Sequence, residues 1–121
     1  MSDQPRADLD AYEVATTGKY IGSNKLTIPA MIRNRLWLRR TSDIVQIYVD
    51  RRRRSIIIQK KAQIQLSEPE GDLVHEVKVI QDRWLYLPAD IRDMLWLEEN
   101  DMVEYLVDPT GNLRFYLRKA A

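Results

Sequence analysis

The chain has 121 residues, of which 45% are hydrophobic and 31% charged, as is typical of a globular protein of one compact domain or two small ones. It contains no cysteine, which excludes disulfides and thiolate zinc sites, and no apolar run approaches the roughly 20 residues that a membrane-spanning helix needs. Residues 1–10 are too polar for a signal peptide, so we expect a cytoplasmic protein without a membrane partner.

The net charge of +1 hides a strong asymmetry along the chain. Residues 1–61 contain 13 Lys and Arg against 6 Asp and Glu, a net charge of +7. Residues 62–121 contain 6 Lys and Arg against 12 Asp and Glu, a net charge of −6. A charge distribution of this kind concerns the partners of a protein more than its fold.

A loose tail over residues 1–12 precedes the first predicted elements, which occupy residues 13–61. We call residues 13–61 the basic half. Its elements are a strand over Val14–Ile21, a turn at residues 22–24, a short strand over Lys25–Ile28, a two-turn helix that begins at Pro29, and a hairpin in which Arg51–Arg54 connects Ile44–Val49 to Ser55–Gln59.

A linker over residues 62–71 leads to the same order of elements in residues 72–121, which we call the acidic half. The turn of its hairpin, Asp108-Pro109-Thr110-Gly111, has Pro and Gly where a type I turn favours them. The predicted elements are strands over Leu73–Ile80 and Arg83–Leu87, a helix from Pro88 or Ala89 to Leu95, and a hairpin of Met102–Val107 with Leu113–Leu117.

The two halves are also similar residue by residue. The sequence KLTIPAMIRNRLWLRRTSDIVQIYVDRRRRSIIIQKK at residues 25–61 aligns with WLYLPADIRDMLWLEENDMVEYLVDPTGNLRFYLRK at residues 84–119 when one residue is dropped near Thr41. From Asp50 to Lys61 the alignment with residues 108–119 needs no further gap. Because units of this size seldom fold alone, the two copies are expected to bury their apolar faces against each other as a pseudo-twofold pair.

Both halves contain a strand that ends in Ile-Pro or Leu-Pro, then Ile-Arg, Leu-x-Leu and Asp-x-Val before the hairpin. The basic half has LTIPAMIRNRLWL, SDIV and QIYVDRRRRSIIIQKK, and the acidic half has LYLPADIRDMLWL, NDMV and EYLVDPTGNLRFYLRK. This pattern resembles the AbrB-like family (SpoVT-AbrB, MazE and MraZ), here as two tandem copies in one chain.

The resemblance implies a mainly β fold with short helices, in which two swapped-hairpin β-β-α-β-β repeats pack as a pseudo-twofold barrel. It also implies a transcriptional regulator of the cytoplasm and nucleoid that binds duplex DNA through basic residues of the first loop and helix. Two basic copies from a homodimer or higher homo-oligomer would then suit a two-fold DNA site.

The family's loop Gly-Arg corresponds here to Asn24-Lys25, and its helix arginine corresponds to Arg33. Asn tolerates a positive φ better than most residues, so the loop turn is expected to persist. Trp37 and Trp96 stand where the family usually has a glycine between two leucines. The acidic half has Arg83-Trp84 in the loop and Arg92-Asp93 in the helix, which argues against DNA contact by that half.

Positions that differ between the halves are the better candidates for DNA contact, since a fold that needed them would keep them twice. Nearly every difference removes positive charge from the acidic half, as where Lys25 becomes Trp84 and Arg35 becomes Met94. Arginine and lysine neutralise phosphate, and arginine can bind it in a bidentate way. The candidate DNA-binding residues are Lys19, Asn24, Lys25, Arg33, Arg35, Arg39, Arg40, Arg51, Arg52, Arg53 and Arg54.

Arg33 has a structural alternative to phosphate contact. Arg33 and Arg92 are shared by the halves, and each lies four residues before a shared tryptophan, Trp37 or Trp96. On a helix this spacing would bring the guanidinium beside the indole ring in a cation–π contact. Both readings remain open from the sequence.

Enzyme chemistry is not expected. His75 is the single histidine and has no repeated carboxylate or cysteine partner. Asp90 and Asp93 read as solvated helix charges, and the four glycines form no phosphate loop. We expect neither a catalytic residue nor a metal or other cofactor.

Two alternatives remain for the function. An antitoxin or adaptor would bind a basic protein through the acidic half or the tail. A chromatin-like protein would bind DNA through the basic half with the same affinity for any sequence.

Overall fold

The computed structural model describes residues 8–39, 42–81 and 83–121. The observed elements agree with the predicted ones to within two residues at each end. In chain order they are a 3-10 helix (Leu9–Ala11), β1 (Val14–Gly22), β2 (Lys25–Thr27), α1 (Ala30–Arg35), β3 (Ile44–Asp50), β4 (Ser55–Lys60), β5 (Asp72–Ile80), β6 (Trp84–Tyr86), α2 (Ala89–Met94), β7 (Met102–Val107) and β8 (Arg114–Lys119).

The eight strands form a closed antiparallel barrel in the order β1-β2-β6-β5-β3-β4-β8-β7. A mainly β fold with two short helices is therefore confirmed. The β3–β4 hairpin of the basic half lies between β5 and β8 of the acidic half, and the β7–β8 hairpin lies between β1 and β4 of the basic half. Because the strands of the two halves alternate in this way, neither half could close the barrel alone.

Alternation along the strands fills the barrel with apolar side chains. Leu26 of β2 and Leu85 of β6 face each other and are fully buried, as are Ile47 and Ile58 of the β3–β4 hairpin. Burying an aliphatic side chain of this size contributes about 1.5–3 kcal/mol. Ile57, which points to the other side of β4, is also fully buried, so this strand is covered on both faces.

Residues 8–12, the last part of the predicted loose tail, pack against the outside of the barrel. Asp8 caps the 3-10 helix by accepting a hydrogen bond from the backbone N–H of Asp10 at 3.0 Å. Leu9 is buried, and the ring of Tyr12 meets Tyr116 edge-on with 5.1 Å between ring centroids. These few apolar side chains hold an otherwise polar segment on the barrel, because they cover Tyr116 and its apolar neighbours.

Each helix ends in a Schellman motif that places a tryptophan in the left-handed conformation. In α1 the N–H of Leu38 donates to Arg33 O at 3.0 Å and the N–H of Trp37 donates to Asn34 O at 3.2 Å. Trp37 has φ of 58°, and Trp96 at the end of α2 has φ of 56°. Glycine usually occupies this position, because the left-handed conformation costs other residues roughly 1–2 kcal/mol. The tryptophans thus make a turn that glycine usually makes at a helix end.

The two hairpins differ by one residue in register, so the ungapped alignment of residues 50–61 with residues 108–119 is wrong. Val49 pairs with Ile56, whereas Val107 pairs with Phe115. The β7–β8 connection is therefore one residue longer than the β3–β4 connection. The predicted turn is present in both connections. The extra residue of the β7–β8 connection lies between that turn and β8.

Two lysines show which positions are equivalent after the turn. Lys60 Nζ donates to the carbonyl of Trp37 at 3.0 Å, and Lys119 Nζ donates to the carbonyl of Trp96 at 3.1 Å. Lys60 therefore corresponds to Lys119, rather than to Arg118 as in the ungapped alignment. Each lysine satisfies a carbonyl at a helix end, which is a structural role common to both halves.

Candidate nucleic-acid interface

The short strands β2 and β6 pair with each other between β1 and β5, and this pair, which we call the ribbon, has one buried and one outward face. Leu26 and Leu85 point into the core, so the residues on either side of them point outward. Lys25 lies opposite Tyr86, and Thr27 lies opposite Trp84. Lys25 Nζ lies 4.8 Å from the centre of the Trp84 ring. We call Lys25, Thr27, Trp84 and Tyr86 the ribbon face.

The loops that precede β2 and β6 each cross to the helix of the other half. Leu87 donates its backbone N–H to Asn24 O at 2.8 Å, which places the loop of the basic half beside the start of α2. Ile28 donates its backbone N–H to Arg83 O at 2.8 Å, which places the loop of the acidic half beside the start of α1. The loop cations Lys25 and Arg83 therefore lie at opposite ends of the ribbon, on the same surface.

Asn24 has φ of 60°, which confirms that the loop turn persists with asparagine in place of glycine. Its backbone N–H donates to the hydroxyl of Tyr20 at 3.1 Å, and its Oδ1 accepts a hydrogen bond from Arg92 Nη1 at 3.3 Å. Asn24 is thus held on both sides. Its role in the described structure is to fix the loop that carries Lys25.

The two helix arginines have different electrostatic surroundings. The guanidinium of Arg92 lies 3.2 Å from the carboxylate of Asp93, and hydrogen bonds to Asp93 and Tyr20 raise the pKa of Arg92. Arg33 is followed by the neutral Asn34, and within the described residues it has no carboxylate partner. Its Nε is buried without a hydrogen-bond partner in the described structure. The positive charge at the ribbon is therefore less neutralised on the α1 side.

The cation–π contacts expected from helix spacing are not the ones that the structure contains. Among the described residues, the ring of Trp37 is covered by Arg39 at 5.2 Å and the ring of Trp96 by Arg54 at 3.4 Å. The cation–π alternative for Arg33 is therefore not found among the described residues, and its phosphate contact stays a prediction. Trp37 has turned into the left-handed conformation after the helix ends, so it no longer lies one helical turn above Arg33.

Arg53, one of the predicted DNA contacts, is bound to other residues of the chain. Its Nε lies 2.7 Å from Asp50 Oδ2 and its Nη2 lies 2.9 Å from Glu70 Oε2. The same guanidinium lies over the rings of Tyr12 and Tyr116 at 5.9 and 5.2 Å. Burial lowers the pKa of Arg53, but hydrogen bonds to Tyr12 and Asp50 outweigh it and raise the pKa above its ordinary value.

The other arginines of the β3–β4 turn are exposed. Arg51 and Arg52 line a shallow recess with Gly71 and Asp72, and neither forms an ion pair with a described residue. Arg54 has φ of 46° and stacks on Trp96. The turn is therefore a second group of cations, which lies beside the end of α2 rather than on the ribbon face.

The remaining predicted residues are dispersed. Lys19 is exposed on β1 opposite Met102, and Arg35 is exposed at the end of α1. Arg39 Nη1 donates to Asn34 Oδ1 at 3.1 Å. Arg40 lies outside the described residues. Asn24 and Lys25 are thus adjacent in the loop before β2, and no contact among the described residues joins either of them to Arg33.

The candidate DNA-binding residues predicted from the sequence did not include four residues of this surface: Arg83, Trp84, Tyr86 and Arg92. They belong to the acidic half, whose overall charge argued against DNA contact. The alignment of the loops contained a signal, because Arg83 and Arg92 occupy positions equivalent to Asn24 and Arg33. Only the pairing of β2 with β6, nearly 60 residues apart in sequence, brings them to the same surface.

No protein-family model, curated protein or solved structure matches this chain. The likeness to AbrB-like proteins therefore rests on the sequence motifs quoted above. In residues 8–39, 42–81 and 83–121 no helix is long and apolar enough to cross a membrane, and no cluster of three or more His, Asp or Glu residues is arranged to hold a metal ion.

Proposed function

We propose that this protein is a non-enzymatic, AbrB-like transcriptional regulator that binds duplex DNA through the ribbon face and the cations around it. The observation that carries the proposal is the pairing of β2 with β6, which puts Lys25 on one outward surface between the loops and helices that bear Arg33, Arg83 and Arg92. Lys25, Arg33 and Arg92 stand at positions where the resemblance implies DNA contacts, and Arg83 lies next to one of them in the sequence.

The dimensions of the ribbon support this proposal. The major groove of B-DNA is about 12 Å wide and admits a two-stranded β-ribbon. β2 and β6, of three residues each, are the middle pair of the strands β1-β2-β6-β5, so the ribbon face is two strands wide and would meet the groove as part of a sheet. Arg83 is exposed and Arg33 and Arg92 are half-buried, and these cations would neutralise phosphates on either side of the groove, where each such contact releases counterions.

The strand order supports the AbrB-like reading as well. Each hairpin pairs with strands of the opposite half, as two swapped-hairpin repeats would do in a pseudo-twofold barrel. In this arrangement Arg51 and Arg52 of the β3–β4 turn supply a second group of phosphate contacts beside α2. Arg53 and Asn24 stabilise the fold rather than contact DNA. Such a protein would act in the cytoplasm, at the nucleoid.

Fluorescence anisotropy of labelled duplexes tests the proposal. The duplexes are the upstream region of the protein's own gene and a scrambled duplex of equal length and composition, each titrated at several salt concentrations. Preference of a hundredfold or more for the upstream region supports a specific regulator. Equal affinity with a steep salt dependence supports the chromatin-like alternative. Absence of binding to either duplex at low salt refutes DNA binding.

The exposed linker favours the protein-partner alternative if DNA does not bind. Ile64 and Leu66 are 88% and 77% exposed, which is unusual for large apolar side chains in an ordered linker. In that case cross-linking at this segment, beside the acidic half, would be the next experiment.

A further inference from the structure

The ribbon face is chemically unequal on its two sides, although its two strands are equivalent in position. The alignment of the halves relates Lys25 to Trp84 and Thr27 to Tyr86. A ribbon with equal sides would therefore present two lysines and two threonines. This ribbon presents a cation and a hydroxyl from the basic half, and two aromatic rings from the acidic half.

The helices on the two sides of the ribbon, α1 and α2, also differ in the charges around their arginines. On the α2 side, Arg92 lies 3.2 Å from Asp93 and is also bound to Asn24. On the α1 side, Arg33 has no carboxylate partner among the described residues. A phosphate on the α2 side must compete with Asp93 for the guanidinium, whereas a phosphate on the α1 side meets no such competitor. The two flanks therefore differ in charge as the two strands differ in side chains.

Because the barrel closes within one chain, the difference between the two sides of the ribbon is a property of a single chain. Both sides of the ribbon come from the same polypeptide, and each of the eight described strands already has two paired neighbours. No second chain is required to complete the surface. A homodimer that placed two basic halves side by side would be a different assembly, and it would call for a two-fold DNA site.

The side chains on the two sides suit different base pairs. A lysine ammonium donates hydrogen bonds to O6 and N7 of guanine in the major groove. The ring of Tyr86, which is 41% exposed, offers an apolar edge of the kind that contacts the thymine methyl group. One side of the ribbon therefore favours a G·C pair and the other an A·T pair.

We propose that a single chain reads one duplex site that lacks two-fold symmetry, with Lys25 on a G·C pair and Tyr86 on a neighbouring A·T pair. This inference rests on the proposed function. It names the kind of DNA that the ribbon face selects, and it departs from the expectation of two basic copies on a two-fold site.

Selection from a library of random 20-base-pair duplexes with the full chain tests the inference. We expect an enriched motif without two-fold symmetry, G·C-containing on one side and A·T-containing on the other. Light scattering of the complex with the enriched duplex should give one chain per site. An inverted-repeat motif, or two chains on each site, would overturn the inference and leave DNA binding intact.

Two variants connect the motif to the ribbon. Trp84→Lys with Tyr86→Thr copies the side chains of the basic half onto the acidic half, so the selected motif should become an inverted repeat. Tyr86→Thr alone keeps the Trp84 ring under Lys25, and it should remove the A·T preference while the G·C preference remains. An unchanged motif in the folded variants would overturn the assignment.

The outcomes also separate the inference from the proposed function. Binding without any enriched motif overturns the asymmetric readout but not DNA binding. If no duplex of the library binds at low salt, the proposed function itself fails, and the inference fails with it. Circular dichroism and thermal unfolding of each variant exclude loss of fold as the cause.

Discussion

The guanidinium of Arg54 lies 3.4 Å from the centre of the Trp96 ring. This contact joins the β3–β4 turn of the basic half to the end of α2 in the acidic half. Both residues have a positive φ, 46° for Arg54 and 56° for Trp96, and Trp96 is 61% exposed. An exposed cation–π contact contributes about 0.5–1 kcal/mol, which offsets part of the strain of a left-handed tryptophan.

Because Trp37 has a left-handed conformation, we expect glycine to be a more stable replacement than alanine at this position, the reverse of the order inside a helix. Trp37→Gly should be more stable than Trp37→Ala by about 1 kcal/mol, because alanine retains the strain that glycine avoids. The same order is expected at Trp96. Urea denaturation of the four variants measures the difference in the free energy of unfolding.

Met31 provides the control for this comparison. It is exposed on the regular part of α1, where Met31→Ala should be more stable than Met31→Gly by about 0.5–1 kcal/mol. If alanine were also the more stable replacement at Trp37 and Trp96, the positive φ at these positions would be contradicted.

The ion pair of Arg53 with Asp50 predicts unequal effects within the run of four arginines. The side chain of Asp50 is 1% exposed, so Arg53→Ala would leave a buried carboxylate without this partner. We expect a loss of about 2–4 kcal/mol in the free energy of unfolding. Arg52→Ala, which removes the same charge from an exposed position, should change it by less than about 0.5 kcal/mol.

DNA binding should show the opposite order for these two arginines. Arg52→Ala should reduce the slope of the logarithm of affinity against the logarithm of salt concentration by about 0.9, as one phosphate contact is lost. Arg53→Ala, measured well below its unfolding temperature, should leave that slope unchanged. Equal stability of the two variants would contradict the structural role of Arg53.

Gly18 lies where the structure leaves no room for the side chain of alanine. A Cβ at this position would lie 2.5 Å from the carbonyl oxygen of Thr27 and 2.9 Å from Cε1 of Tyr105. Gly18→Ala should therefore lower the free energy of unfolding by about 1–3 kcal/mol, because β1 must move away from β2. Thr17→Ala, at the exposed neighbouring position, is the control and should cost less than Gly18→Ala. Equal melting temperatures for the two variants would refute this close approach.

Asp101 predicts a pH dependence of stability. Its Oδ2 accepts a hydrogen bond from the backbone N–H of Glu98 at 2.7 Å and lies 3.3 Å from Lys119 Nζ, and these interactions lower the pKa of Asp101 below its ordinary value of 3.8. The unfolded chain therefore binds the proton more readily than the folded chain, so the stabilisation is present above about pH 4 and is lost as pH falls through the lowered pKa.

Melting temperatures of the wild type and Asp101→Asn measure this effect. The wild type should be the more stable at pH 7, and the difference should shrink as pH falls from 4 to 2. A difference that stays constant over this range would show that the ionised carboxylate of Asp101 is not what stabilises the turn.

Local sequence signals were sufficient to predict the elements of the fold. Pro29 and Pro88 precede helices, Asn24 adopts the positive φ that its loop needs, and alternating apolar residues mark the strands. These signals act within a few residues of each other. The register of the β7–β8 hairpin was not predictable in this way, because an aligned sequence does not reveal an extra residue in a turn.

The candidate site was less predictable, because its contacts join distant parts of the chain. The partners of Arg53 include Tyr12 and Glu70, which are 41 and 17 residues away in sequence. A run of four arginines therefore resembled one surface although its members have different roles. Likewise, Tyr86 joins Lys25 only through the pairing of β2 with β6.

The DNA affinity of charge-reversed variants tests whether the protein binds DNA through the ribbon face. Lys25→Glu with Arg83→Glu reverses two cations at the ribbon, and Lys61→Glu with Lys78→Glu reverses two exposed cations that are not among the proposed DNA contacts. Our account predicts that the ribbon variant loses at least tenfold more affinity than the other variant at about 0.1 M salt, where charges within roughly 10 Å of the DNA still act. Equal affinities for the two folded variants would contradict DNA binding through the ribbon face.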